Sequence, residues 1–194
     1  MYTISYGGTA LSDFHVYMAD CNKHDGPKRD ITSSKIPGRS GELTLDNGRY
    51  ENFDYTIDAY VKENSMSNLD SLKQYLLSES GYRRLEDSMH PGTFLLARYT
   101  GPFTVKKSDR AGAAVSLKFD CMPQRFLASG ETAANVTVSG TTITNPTLFP
   151  AKPLLRVYGT GTANIGDGTI IILSHSYSYI DIDCDSMEAF RGGT

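Results

Sequence analysis

The amino-acid sequence predicts a mainly β protein of the α+β class, and three observations carry this prediction. Tyrosine is abundant, with 12 copies, and Thr, Ser and Gly are frequent, which is typical of strands and tight turns. Apolar and polar residues alternate strictly over residues 53–61, as they do in a strand with one buried face. Convincing helical periodicity occurs only in the segment that follows Ser67. Many strands and one helix therefore define the expected fold.

Length and composition indicate an ordinary globular protein with one large domain or two small ones. The chain has 194 residues, of which 39% are hydrophobic and 21% are charged. Its formal net charge of −3 gives no electrostatic reason to expect sequence-specific nucleic-acid binding. The longest apolar block, residues 170–173, is far shorter than the roughly 20 residues of a membrane span, so no membrane insertion is expected.

The cysteines and the N-terminus bear on the cellular compartment. Cys21, Cys121 and Cys184 are widely separated and odd in number, which indicates free thiols in a reducing cytoplasm. The N-terminal residues lack a basic start followed by an apolar segment, so no signal peptide is expected.

A hairpin within residues 42–61 is the clearest local prediction. A short strand over residues 42–45 leads into Asp46-Asn47-Gly48, and Asn-Gly strongly favours a two-residue hairpin turn. The alternating return strand should bury one face, which consists of Phe53, Tyr55, Ile57, Ala59 and Val61.

The residues before this hairpin predict two strands and a loop. Residues 1–6 form the first expected strand, and residues 11–18 are apolar enough for a second. Residues 20–34 have the polar, Gly- and Pro-containing composition of an exposed loop.

One amphipathic helix of about three turns is expected after Ser67, which can cap it with Asp70 three residues later. Gly81 follows as a C-terminal stop signal. Its core-facing residues recur at helical spacing, and they are Leu69, Leu72, Tyr75 and Leu76.

Further strands complete an N-terminal domain over residues 1–130. They are expected at residues 82–87, 93–99, 103–105 and 113–121, with a loop at residues 108–112. This domain should be a sandwich or barrel-like β structure with the single helix.

Residues 131–194 have a different pattern, that of a small all-β sandwich. Short β-prone runs at residues 134–139 and 141–145 precede three prolines, and strands are expected at residues 154–158, 169–173 and 178–183. No closing strand is expected after Met187.

No cofactor, metal or catalytic site is expected. Asp181, Asp183 and Asp185 imitate the start of a calcium loop, but Ser186 replaces its glycine, and they are better explained as the polar face of a strand. Cys21, His24 and Asp25 are too few for zinc. The remaining histidines have no Ser or Cys partner in a catalytic pattern, so the chain is not expected to be an enzyme.

The order of several motifs resembles the distal tail protein family of long-tailed bacteriophages (siphophages). The first motif is Ile36-Pro37-Gly38-Arg39-Ser40-Gly41-Glu42-Leu43, which is followed by the aromatic strand and the helix. The segments at residues 113–126 and 145–157 continue the resemblance, which spans nearly the whole chain.

The resemblance implies a structural virion protein at the phage tail tip or baseplate, made in the bacterial cytoplasm. The N-terminal domain would form a homo-hexameric ring that lets DNA pass. The second domain would be galectin-like, and it would be truncated or incomplete, because members of the family usually continue for several more strands. Implied partners are the tail tube protein, a tail-tip or tail-associated protein, and receptor-binding or baseplate proteins. In the family, a region comparable to residues 20–40 reaches the next subunit of the ring.

A subunit interface is the single candidate site, and its residues are Ile36, Pro37, Gly38, Arg39, Gly41 and Arg49. Arg39 and Arg49 fit two interpretations equally well. They are either surface arginines near turns or interface residues whose planar guanidinium groups hold a neighbouring carboxylate.

Two other functions fit parts of the sequence. A carbohydrate-binding β-sandwich module would suit the surface tyrosines, although the chain has no tryptophan. A related tail tube component would share the ring-forming domain, but such a protein normally lacks the sandwich that follows Pro146.

Overall fold

The computed structural model describes residues 2–21, 25–62, 65–109, 112–165 and 169–191. The chain forms two compact units, Met1–Ala134 and Asn135–Thr194, called the first and second units below. Both are built mainly from antiparallel strands, and the described residues contain a single α-helix, so the predicted mainly β class is confirmed.

The described residues of the first unit form ten strands, one α-helix and two short 3-10 turns. Its strands are β1 (Ile4–Tyr6), β2 (Thr9–Ala10), β3 (Val16–Cys21), β4 (Arg29–Lys35), β5 (Glu42–Tyr50), β6 (Phe53–Lys62), β7 (Arg83–Asp87), β8 (Thr93–Tyr99), β9 (Thr104–Asp109) and β10 (Gly112–Leu127). The helix α1 spans Ser65–Ser78, and the 3-10 turns span Leu11–Phe14 and Ala128–Glu131.

Eight of these strands form one antiparallel sheet around β10. The order is β2-β1-β7-β8-β10-β6-β3, and β9 also pairs with β10. The first part of β10 lies between β6 and β9, and its last part pairs with β8. The β8 register shifts between Cys121 and Arg125, and Pro123, which has no N–H to donate, lies within this irregularity.

The predicted alternation of residues 53–61 is confirmed and forms the centre of the core. Tyr55, Ile57, Ala59 and Val61 are buried, and Phe53 is half-buried at the margin. Opposite them on β10, the register pairs Leu117 with Ile57, and both side chains are buried. Period-two burial on both strands therefore produces one continuous apolar layer.

The helix covers part of this layer. Leu69, Leu72 and Leu76 are buried, as their spacing predicts, and Tyr75 packs against the core. The helix begins at Ser65, two residues before the expected cap, and Gly81 follows it with a φ of 75°.

Two N-terminal predictions are wrong in detail. Residues 11–18 do not form one strand, because Leu11–Phe14 makes a 3-10 turn and His15 adopts a left-handed φ of 56°. Strand β3 begins only after this turn, so the buried Leu11 belongs to the turn and not to a strand. Residues 20–34 are not simply a loop, since Arg29–Lys35 is strand β4, which pairs with β5.

The predicted hairpin turn at Asn47-Gly48 is also wrong. Strand β5 continues through it to Tyr50 and pairs with β4, so the actual turn lies between Lys35 and Glu42. The register shifts beside Asp46–Tyr50, which identifies Asn47-Gly48 as part of a bulge where Gly48 has a φ of 73°. Strand β6 pairs instead with β3 and β10.

In the part of the second unit that the structure describes, the strands form two small sheets. Its strands are β11 (Leu154–Tyr158), β12 (Gly161–Asn164), β13 (Ile170–Leu173), β14 (Tyr179–Asp183) and β15 (Glu188–Phe190). One sheet has the order β11-β14-β15, and the other pairs β12 with β13. Strand β15 contradicts the expectation of no closing strand after Met187.

Two more predictions for the second unit are wrong. The β-prone runs at residues 134–139 and 141–145 have no strand assignment and are exposed. Asp181 does not lie on a solvated face, since it is 2% exposed and is held by Arg156. Among the described residues, no helix is both long enough and apolar enough to span a membrane.

Candidate functional site

Five of the six predicted interface residues lie together at the tip of the β4–β5 hairpin. Ile36, Pro37, Gly38, Arg39 and Gly41 belong to the turn that joins the two strands. Gly38 and Gly41 have φ angles of 80° and 85°, which favour glycine, and the Arg39 N–H donates to the Ile36 carbonyl at 3.2 Å.

Arg49 lies elsewhere, near the opposite end of β5. Arg49 lies eight positions along the chain from Gly41, a span of roughly 25 Å in an extended strand. Its Nε donates to Asp30 Oδ2 at 2.6 Å across the strand pair. The structure therefore gives Arg49 a role inside the hairpin and leaves Arg39 at the tip, where it forms no ion pair with another described residue.

The hairpin is exposed on both faces. Every residue of β5 from Glu42 to Arg49 is exposed, and so is every residue of β4 except the half-buried Asp30. Among the described strands, β4 and β5 pair only with each other. A two-stranded hairpin has marginal stability in water by itself, so this one needs additional contacts to hold a defined position.

Polar contacts fasten the end of the hairpin where Arg29 faces Tyr50. Arg29 Nη1 donates to Asp46 Oδ2 at 2.5 Å, and its Nη2 donates to the Tyr50 hydroxyl at 2.9 Å. Asn47 Nδ2 donates to Asp30 Oδ1 at 2.9 Å, and the Gly48 N–H donates to Asp46 Oδ1 at the same distance. Asn47 and Gly48 therefore donate hydrogen bonds to carboxylates within a bulge and do not form the hairpin turn.

These contacts lower the pKa of both carboxyl groups. For Asp30, the hydrogen bond from Asn47 is the main cause and the one from Arg49 is the next. For Asp46, the backbone N–H of Gly48 contributes most and Arg29 follows.

The apolar surface of the hairpin lies nearer the tip. Leu43 and Leu45 share one face of β5, and they are 54% and 65% exposed. Ile36 in the turn is also exposed and contributes to a shallow concavity that Pro37 and Arg39 help to line. The sequence-based site omits both leucines, although their period-two spacing in residues 42–45 places them on one face of the strand.

A second polar cluster, absent from the predicted site, is buried in the first unit around Asp87. Its Oδ1 accepts from the backbone N–H groups of Met89 and His90 at 3.0 Å and contacts His90 Nδ1 at 2.8 Å. Its Oδ2 accepts from the Tyr55 hydroxyl at 3.1 Å and lies 3.5 Å from Arg125. Several donors thus compensate the buried carboxylate, which joins β6, β7 and β10.

Burial contributes most to a raised pKa of the Tyr55 hydroxyl, and the nearby Cys21 and Asp87 raise it further. The hydroxyl therefore remains protonated and able to donate. No sequence pattern marks this cluster, because its members come from separate strands.

Within the described ranges, no three His, Cys, Asp or Glu side chains gather closely enough to hold a metal ion. Cys21, Cys121 and Cys184 are free thiols, as the sequence predicts. The suggested trio of Cys21, His24 and Asp25 includes His24, which lies outside the described residues.

Comparisons with known proteins are informative at the level of structure. No protein-family model matches the sequence, and no curated protein matches it. Among solved structures, the chain matches the crystal structure of SPP1 Dit (gp 19.1), described as a paradigm of the hub adsorption apparatus in phages that infect Gram-positive bacteria. The match has a TM-score of 0.69 and 17% identity, and it covers 97% of this chain and 82% of that one. The chain therefore shares the fold of SPP1 Dit over nearly its whole length.

Proposed function

We propose that this chain is a structural component of the distal tail hub of a long-tailed bacteriophage. The observation that carries the proposal is the fold likeness to SPP1 Dit, which extends over 97% of the chain and thus includes both units. Independent support comes from the sequence, where the motif at residues 36–43 and its successors resemble the distal tail protein family in the same order.

The extent of the match favours a hub over a tail tube component. A tube protein would account for the first unit and leave residues 135–194 without a counterpart. The match to a hub protein accounts for both units, so the hub is the better explanation of this chain.

The β4–β5 hairpin is proposed as the contact between neighbouring subunits of a homo-hexameric ring. A hairpin exposed on both faces gains stability when a second copy covers Leu43 and Leu45. Head-to-tail contacts of this kind close into a ring without leaving an open hairpin on any subunit. Arg39, at the tip, would meet a carboxylate or carbonyl of the neighbour.

The distribution of charge suits a ring through which DNA passes without being held. Many cations of the first unit already pair with carboxylates: Arg29 with Asp46, Arg49 with Asp30, Arg83 with Glu79, Arg98 with Asp120, Lys106 with Asp58 and Lys118 with Asp54. Phosphate binding needs clusters of available Lys and Arg. The local pairing of these cations therefore supports passage rather than binding.

The proposed role needs no catalytic residue and no cofactor. It places the protein in the virion, between the tail tube protein on one side and tail-tip, receptor-binding or baseplate proteins on the other. The proposal also includes a galectin-like architecture for the second unit. It further includes a division of the chain into a ring-forming domain and an outer domain.

The test is the absolute mass of the full chain, measured by light scattering on a sizing column over a range of concentrations. We expect a six-fold mass and annular particles in negative-stain images. Leu45→Asp should shift the mass toward the monomer, because it places a charge in the proposed contact. Met66→Asp is the matched control, since Met66 is an equally exposed apolar residue on α1 and should leave the ring intact.

A chain that remains monomeric at all concentrations and also when mixed with a tail tube protein would contradict the proposal. A hexamer that tolerates Leu45→Asp and Arg39→Ala would retain the ring but reject the hairpin as its contact.

A further inference from the structure

The second unit leaves its apolar side chains largely uncovered. Among its described residues, Asp181 is the single buried residue, and no hydrophobic side chain is buried to the same degree. In the first unit, by contrast, an extensive apolar cluster is buried around β6 and β10. Small sheets with few strands need a covered apolar face to be stable, so the second unit is incomplete as a single copy.

Residues 134–145 have the composition of a strand, but none of the described strands pairs with them. The chain carries no charged residue between Glu131 and Lys152, and residues 134–145 are rich in Val, Thr and Ile. Val136 and Val138 are 55% and 67% exposed. The Thr141 N–H donates to the Val138 carbonyl at 3.3 Å, which closes a turn around Gly140.

The β12–β13 sheet offers a matching edge. Among the described strands, β12 and β13 pair only with each other. The Ile165 N–H donates to the Thr169 carbonyl at 3.0 Å, so these two residues form a hydrogen-bonded pair. Hydrogen-bonded and non-hydrogen-bonded pairs alternate along an antiparallel register, so the backbone groups of Ile170 and Ile172 point away from β12. Both isoleucine side chains are exposed, at 60% and 78%.

We propose that residues 134–139 of one copy, which precede the turn at Gly140, add as a strand to the open edge of β13 in a second copy. Backbone hydrogen bonds would form with Ile170 and Ile172, and the valines would extend the exposed isoleucine face. Within the described residues of one chain, the added segment (the donor) and the open edge of β13 (the acceptor) are not paired with each other. The proposed partner is therefore a second copy of this chain. This contact needs only two copies and does not rest on the ring.

Charge distinguishes the β12–β13 sheet from the edge strands of the other sheet in this unit. Strands β12 and β13 consist of uncharged residues, as the donor does, so pairing leaves no charge buried without a partner. The edge strands of the other sheet carry Arg156 and Glu188. An uncharged valine-rich strand therefore matches β13 better than it matches β11 or β15.

Hydrogen–deuterium exchange of the full chain, followed over about a hundredfold range of protein concentration, tests the proposal. We expect the amides of residues 135–139 and those of Ile170 and Ile172 to exchange at least about tenfold more slowly at the highest concentration than at the lowest. The rates in the core strands β6 and β10 serve as an internal reference.

Two single substitutions distinguish the loss of strand pairing between copies from a general loss of folded structure. Val138→Asp should abolish the concentration-dependent protection at both the donor and β13, because its side chain would face the isoleucines. Thr137→Asp is the matched control, since alternation places residue 137 on the opposite face of the added strand. Val138 is already exposed in the single copy, so circular dichroism should show both variants folded.

Protection that rises with concentration, disappears in Val138→Asp and persists in Thr137→Asp would support strand addition between copies. Rapid exchange of both segments at every concentration would overturn it, and concentration-independent protection would also overturn it by indicating pairing within one chain. If mass measurements show a ring while these amides stay unprotected, the hub proposal stands and this one fails.

Discussion

The Tyr55 hydroxyl donates a hydrogen bond of 3.1 Å to the buried carboxylate of Asp87. Tyr55 lies on β6 and Asp87 ends β7, and these strands are not neighbours in the sheet. The contact therefore crosses the core rather than following the strand ladder. A buried charge of this kind is tolerated because His90, Arg125 and two backbone N–H groups share it with Tyr55.

Tyr55→Phe should destabilise the first unit by about 1–3 kcal/mol, because it removes one donor from a carboxylate that cannot reach water. Urea unfolding followed by far-UV circular dichroism measures the change. Tyr2→Phe is the control, since Tyr2 is about half-exposed and should change the midpoint little. Equal midpoints for the two variants would show that the remaining donors satisfy Asp87 without Tyr55.

Gly112→Ala should destabilise the same unit by about 1–3 kcal/mol through overpacking. An added Cβ at the start of β10 would collide with the side chain of Tyr60 and with the Val61 carbonyl oxygen on the paired strand β6. Thermal unfolding checks this. Gly130→Ala is the matched control because its Cβ would meet no atom nearby, and it should leave the melting temperature nearly unchanged.

The sequence predicts the core well and the partners of its strands poorly. Alternation in residues 53–61 and the leucines of α1 report burial locally, so Tyr55, Ile57 and Leu72 could be predicted from spacing alone. Pairing of β6 with β10 joins residues far apart in the chain, and no local pattern encodes it.

The wrong prediction of a hairpin turn at Asn47-Gly48 has a similar physical origin. Glycine at positive φ serves both hairpin turns and bulges, and only the pairing of β4 with β5 decides between them. The site was likewise only partly predictable. Turn chemistry located Pro37 and Gly38, whereas the exposure of Leu43 and Leu45 depends on the missing tertiary contacts of the hairpin.

The carboxyl group of Asp46 should titrate below the ordinary pKa of 3.8. Because the folded-state pKa is the lower one, its contacts contribute stability above the unfolded pKa and lose it as pH falls through the folded value. A carboxyl-detected NMR titration measures this. Arg29→Gln should raise the pKa only partly, since the larger contribution from the Gly48 N–H remains. If the pKa of Asp46 returned fully to its ordinary value in Arg29→Gln, Arg29 and not the Gly48 N–H would be the larger cause of the shift.

Arg156→Gln should destabilise the second unit, because it weakens a two-pronged contact to a buried carboxylate. Arg156 Nε and Nη2 donate to the two oxygens of Asp181 at 2.7 and 2.9 Å, and Asp181 is 2% exposed. Amide exchange in β11 and β14 measures the loss locally. Lys152→Gln is the control, since its ion pair with Asp185 is exposed on both sides and should contribute little to stability. Similar exchange in both variants would mean that the guanidinium of Arg156 is not what stabilises Asp181 in this sheet.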